Sequence, residues 1–313
     1  MMRVKALTFQ RFPCCTTMKK YLWKTLDFLL FSNIFIALGA LVQGLITYRL
    51  LYAEPDKDVL AILFCSTLAL YNFSILLSKP KNFKVSPFRR VRWIFSHYRL
   101  NVTLMLIATF SLIPLALFLS VPALLLLSFL ALISIAYSLP IFHFRGHWFG
   151  LRSVPGVKLF LIALVWSLSC VLLPIVELES AEAFTFPSWD GILLVLNEFL
   201  FVVALTIPFD IRDSLQDEQN ALKTLPTMLG RKMTLLIAYG LLLVYLVLLL
   251  VLARVIGPIS AIALAGSIIL VGWGISRSNT NRNEYFYFLF LDGMLVGQFL
   301  ILWMVGLLVQ ILV

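Results

Sequence analysis

Residues 233–254 read MTLLIAYGLLLVYLVLLLVLAR, with Arg231 and Lys232 immediately before them and no charge until Arg254. At about 1.5 Å per residue, a helix of this length crosses the roughly 30 Å hydrocarbon core of a bilayer. Barrel strands would alternate apolar and polar residues, and this run does not. In lipid the backbone must satisfy its own hydrogen bonds, so the stretch predicts a transmembrane helix.

Working outward, the same reading applies to 26–50, 58–78, 99–120, 121–142, 157–176, 190–209, 257–275 and 286–312. Two long apolar stretches are divided at prolines, near Ser120-Val121-Pro122 and at Gly257-Pro258, because proline removes a backbone donor. Of the 313 residues, 61% are hydrophobic and 13% charged, with a mean hydropathy of +0.99. A soluble domain keeps about a quarter of its residues charged. The predicted fold class is therefore an all-α integral membrane protein, a bundle of about nine transmembrane helices. Residues 1–25 read as a basic N-terminal arm and 26–313 as one polytopic membrane domain.

With the N-terminus cytoplasmic, 22 of the 25 Lys and Arg fall on the inner side. Only Arg49, Lys57 and Arg254 lie outside, as the positive-inside bias requires. The expected location is a bacterial cytoplasmic (inner) membrane. The formal charge of +10 sits beside helix ends on one face, so contact with anionic lipid explains it and nucleic acid is not an expected partner. Cys14, Cys15, Cys65 and Cys170 show no metal or redox spacing. Residues 1–25 lack a cleavable signal pattern.

The strongest polar feature is Asp210-Ile211-Arg212-Asp213-Ser214-Leu215-Gln216-Asp217 at the inner end of the sixth segment. At about 100° per residue the three aspartates fall within roughly 60° of one another. Carboxylates so close repel unless a cation joins them, and hard oxygen donors suit Mg²⁺. A solvated helix end, with Arg212 and Lys223 answering part of the charge, is the simpler alternative. Asn72 and Lys79 share one face of the second segment, where a buried amide and a snorkelling lysine would suffice. Tyr137-Ser138-Leu139-Pro140, His143, Arg145, Gly146, His147 and Trp148 follow the fourth. They suit an anion or aromatic ligand, or an interfacial belt. Glu198 and Asp292 lie inside apolar runs, where an acid costs about 2.5–3.5 kcal/mol, so each should face protein or a polar cavity. Glu198 lies three turns from Asp210 on a nearby face, which raises an internal polar path and ion transport as another class of function.

Asp210 to Asp217, followed by Lys223-Thr224-Leu225-Pro226-Thr227-Met228-Leu229-Gly230, resembles the second aspartate-rich motif of UbiA-type intramembrane prenyltransferases. Tyr137-Ser138-Leu139-Pro140 is similar to a Tyr-Ser-x-Pro segment of that family. The resemblance implies a helical bundle around a central cavity. It also implies Mg²⁺-dependent transfer of a prenyl group from a prenyl diphosphate to an aromatic or other lipophilic acceptor. It would place Mg²⁺ on Asp210, Asp213 and Asp217, the diphosphate on Asn72, Lys79, Arg145 and Lys223, and the substrate or developing cation beside Tyr137. The sequence departs from the family at the first motif, N-D-x-x-D-x-x-x-D. Asn72 is kept, but Phe73, Leu76 and Pro80 stand where acids belong, and Ile141 breaks a Tyr-x-x-x-Lys pattern. Three outcomes follow: one metal with Lys79, Arg89 or Arg145 neutralising the other phosphate, a prenyl-lipid binder without turnover, or another use of the cavity. The metal reading predicts that Asp213→Ala abolishes Mg²⁺-dependent binding. It also predicts that Lys79→Glu weakens diphosphate binding more than Lys84→Glu.

Overall fold

The computed structural model describes residues 13–80, 82–139, 142–144, 147–151, 156–181, 187–219 and 222–312. Among them, eight helices are long and apolar enough to cross a membrane, and a bent pair makes a ninth span. That pair is α1 (Pro13–Phe31) and α2 (Ile34–Leu50), with Lys20–Phe31 and Ile34–Leu50 at 63°. The expected 26–50 segment is therefore broken near its start, and helix α1 runs straight through the boundary expected at residue 25. The cause is Asn33, whose backbone is left-handed at φ 66°. Asparagine tolerates this region because its short amide can bond nearby. Here Nδ2 donates to Asn72 Oδ1 at 3.0 Å.

Helix α3 (Lys57–Leu77) starts where Asp56 Oδ1 accepts from the Asp58 and Val59 amides, at 2.7 and 3.1 Å. A short helix α4 (Arg89–Ser96) precedes α5 (Tyr98–Ala116) and α6 (Val121–Ser138). The expected break between these two spans is present. Ser120 caps α6, and the Glu177 carboxylate accepts from both its amide and its hydroxyl. After α6 comes a hairpin of β1 (Phe142–Phe144) and β2 (His147–Phe149), so the predicted fourth segment ends short of residue 142. Helices α7 (Val157–Ser167) and α8 (Leu173–Ser180) join through a π-helical turn into one span.

Helix α9 (Ser188–Gln219) carries all three aspartates. Thr224 and Thr227 form a capping box at the start of α10 (Leu225–Ile256), so part of the Lys-Thr-Leu-Pro-Thr segment serves to begin a helix. The division from α11 (Pro258–Ser276) falls at Gly257, whose φ of 81° favours glycine. A π-helical turn (Phe286–Leu291) leads into α12 (Gly293–Leu312), which packs back against α2 and closes the order of neighbours.

Packing is that of a protein in lipid. Leu243, Leu250, Ile262 and Ile269 face outward, whereas Gln43 and Gln298 are buried and bonded to each other at 3.0 Å. Such interhelical amide bonds hold spans together where burial of apolar surface cannot.

Candidate functional site

A cavity of about 920 Å³ lies between α3, α5, α6, α7 and α9. Leu112, Leu124, Leu127, Ile162, Val165 and Trp166 make an apolar wall. Arg90, Arg212, Asp213, Gln216 and Glu284 form its polar end, with Tyr71 and Tyr137 also on the lining.

Helix α4 holds the first arginine. Arg89 and Arg90 point to different partners because consecutive helical residues are about 100° apart. Arg89 pairs with Asp27 at 2.5 Å, and Tyr285 donates its hydroxyl to the other Asp27 oxygen. Its own hydrogen bond to Asp27 raises the Arg89 guanidinium above its ordinary value. Arg90 instead donates Nη2 to Asn33 Oδ1 at 2.6 Å, and its backbone amide donates to Glu284 at 2.9 Å. The Arg90 guanidinium lies 4.3 Å from the centre of the Phe288 ring. Burial first, then the neighbouring Arg212 charge, push it down to about 10. Its charged form is thus short of compensation.

Arg212 comes from α9. Its Nε and Nη2 donate to the two oxygens of Asp213 at 2.8 and 3.0 Å, and it lies 5.0–5.2 Å from the ring centres of Phe209, Tyr287 and Phe288. Asp210 is paired elsewhere: Lys158 Nζ sits 2.7 Å from its Oδ1, and the Asp210 side chain is 3% exposed. Asp217 Oδ2 is buried without a partner. Of the three, only Asp213 lines the cavity.

By sequence, no protein-family profile and no curated protein matches the chain. By structure it is similar to a UbiA homologue from Archaeoglobus fulgidus bound to GPP and Mg²⁺, with a TM-score of 0.64 and 12% identity, over 89% of this chain and 99% of that one. The fold is the UbiA fold. An apo UbiA homologue from Aeropyrum pernix K1 aligns at TM-score 0.59 and 16% identity, over 90% of this chain and 97% of the other. A structure described for digeranylgeranylglyceryl phosphate synthase aligns at 0.52 and 17%, over 90% and 96%.

The Mg²⁺ bound by the Archaeoglobus structure poses a question of fit within this UbiA fold. Here the donor set does not suit it. Phe73, Leu76 and Pro80 supply no ligand, Asp210 is neutralised by Lys158, and Asp213 by Arg212. No group of three His, Cys, Asp or Glu among the described residues converges on a point that could hold a metal ion. Asp210, Asp213 and Asp217 share a helix face, but among the described residues they do not form a group that could hold a metal ion.

Of the predicted diphosphate ligands, the three that are described, Asn72, Lys79 and Lys223, do not line the cavity. Asn72 is fully buried, its Nδ2 donating to Ser32 and Leu68 carbonyls and its Oδ1 accepting from Asn33, so it stands behind Arg90 rather than in the cavity. Lys79 is exposed and lies 5.5 Å from the centre of the Tyr98 ring. Lys223 is exposed beyond α9, and Arg145 lies outside the described residues. Lys79→Glu and Lys84→Glu should thus affect anion binding equally, within about twofold, as is usual for exposed charges. A calorimetric titration with geranyl diphosphate checks this, and a selective loss in Lys79→Glu would return that lysine to the site.

Glu198 is half-buried, and its Oε1 is buried without a partner. Neither it nor Asp210 lines the cavity, so the expected polar path between them is not formed there. Sequence reasoning passed over Arg90 and Lys158, whereas Arg212, expected to answer part of the aspartate charge, does pair with Asp213. Arg90 did carry a signal, since Ile94 follows it at i+4 and shares its helix face.

Proposed function

We propose that this chain binds a prenyl diphosphate in its cavity and transfers the prenyl group to a lipophilic acceptor. The observation that carries this reading is the cavity's division into a long apolar wall and an end holding two arginines. It is supported by the UbiA fold, whose Archaeoglobus example binds GPP. The apolar tail would lie against Leu124, Leu127 and Trp166, and the diphosphate at Arg90 and Arg212. In transfer, the bond between the prenyl C1 and the diphosphate oxygen breaks and its electron pair leaves with the diphosphate. The guanidiniums offset that growing charge. The rings of Tyr137 and Tyr71 face the allylic cation, and the apolar wall keeps water away from it. An electron pair of the acceptor closes the new bond to C1, and the acceptor then loses a proton. The basic end of the bundle would face the cytoplasm, as the positive-inside bias implies.

The test is incubation of purified protein with labelled geranyl diphosphate and a panel of lipophilic acceptors. Labelled product with released diphosphate supports transfer. Tight binding with no product over hours selects the second reading, a binder without turnover, which the loss of the first-motif acids favours. A chain-length test follows from the wall: Ala131 lines the cavity. Ala131→Trp should weaken geranylgeranyl diphosphate by about tenfold, or roughly 1.4 kcal/mol, and geranyl diphosphate much less. Equal losses would place the tail elsewhere.

A further inference from the structure

Two elements bring guanidiniums to one aromatic ring. Arg90 of α4 lies 4.3 Å from the centre of the Phe288 ring and Arg212 of α9 lies 5.0 Å from it. Both line the cavity. Each commits some of its N–H groups to protein, Arg90 to Asn33 and Arg212 to Asp213. Each also keeps one buried N–H with no acceptor, Nε of Arg90 and Nη1 of Arg212.

Unsatisfied buried donors are rare because each forfeits its hydration, and a charged donor forfeits more. The acids nearby do not fill the vacancy. Asp213 meets the other nitrogens of Arg212, and Glu284 accepts from the Arg90 backbone rather than its side chain. Asp292 makes no ion pair with either arginine. The acceptor that completes the pair therefore comes from outside the chain. Its chemistry is that of a phosphate or diphosphate, which meets guanidinium forks through several oxygens at once.

We infer that Arg90 and Arg212 together grip the diphosphate directly, in place of a divalent metal, so that ligand binding by this chain is metal-independent. The inference rests on the prenyl diphosphate reading of the cavity and deepens it. It also reverses an expectation from the sequence. If Asp213 were a metal ligand, neutralising it would abolish binding. If instead it restrains Arg212, neutralising it frees two more donors for the ligand.

The experiment titrates the purified full-length protein in detergent with geranyl diphosphate and, separately, with inorganic diphosphate. Each titration is run in excess EDTA and again in Mg²⁺. Geranyl diphosphate should bind in EDTA within about threefold of its affinity in Mg²⁺, and Asp213→Asn should keep or tighten that affinity. Arg212→Gln combined with Asp213→Asn removes the ion pair without changing net charge. It should weaken binding about tenfold or more, the scale of one charge-assisted hydrogen bond. Arg90→Lys, which keeps the charge but loses the fork, should weaken it as well and serves if the double variant does not fold. Binding seen only with Mg²⁺, or lost in Asp213→Asn, overturns the inference and leaves the prenyl diphosphate reading standing. Inorganic diphosphate binding as tightly as geranyl diphosphate in EDTA supports the arginine grip and removes the prenyl reading. No binding of either anion in either buffer overturns both.

Discussion

Arg90→Met should weaken geranyl diphosphate binding by about 10- to 100-fold, whereas Arg89→Met should change it by less than about threefold. The two residues are neighbours of identical chemistry, so the contrast isolates geometry. Arg90 lines the cavity with a donor unused, while Arg89 is half exposed and committed to Asp27. Losing a hydrogen bond to a charged group costs about 1.5–3 kcal/mol, which sets the expected range. Part of that loss is indirect, because Arg90 also bonds Asn33 at the bend. Titration of both variants, each checked by melting temperature, decides the matter. Equal effects would mean that the basic end attracts anions only through its overall field.

Lys158→Met should be among the most destabilising single changes in the chain. Asp210 is almost wholly enclosed, and Lys158 is its ion-pair partner at 2.7 Å. Removing one half of a buried pair typically costs about 3–5 kcal/mol, because the other charge stays behind. Replacing both, as Lys158→Met with Asp210→Leu, should recover most of the lost stability, since apolar pairs of similar size are often neutral or better at such sites. Thermal unfolding in detergent reads both effects. Rescue of the single variant by Mg²⁺ would reveal that Asp210 can seat a metal once its lysine is gone. No loss at all would show that the pair is solvated.

The spans were legible because a run of about twenty apolar residues has few alternatives, and the breaks at Ser120 and Gly257 were legible from the prolines beside them. The bend at Asn33 was not. An asparagine takes a left-handed backbone only when partners reward it, and those partners, Asn72 and Arg90, lie 39 and 57 residues away. The aspartates were visible as a face, but a face has no record of what lies opposite. Lys158, which answers Asp210 from 52 residues upstream, had counted only as one more positive charge beside a membrane. Arg90 was hidden in the same way among seven basic residues of one loop. Its inward aim depends on the short helix α4, whose docking is a tertiary event.

Helix α4 is touched by both extremes of the chain. Asp27 reaches Arg89, Glu284 reaches the amide of Arg90, and Tyr285 reaches Asp27. During synthesis the ribosome must therefore translate past residue 285 before the arginine end can take its final form. A nascent chain with only its earlier spans inserted would have the greasy wall but not the grip.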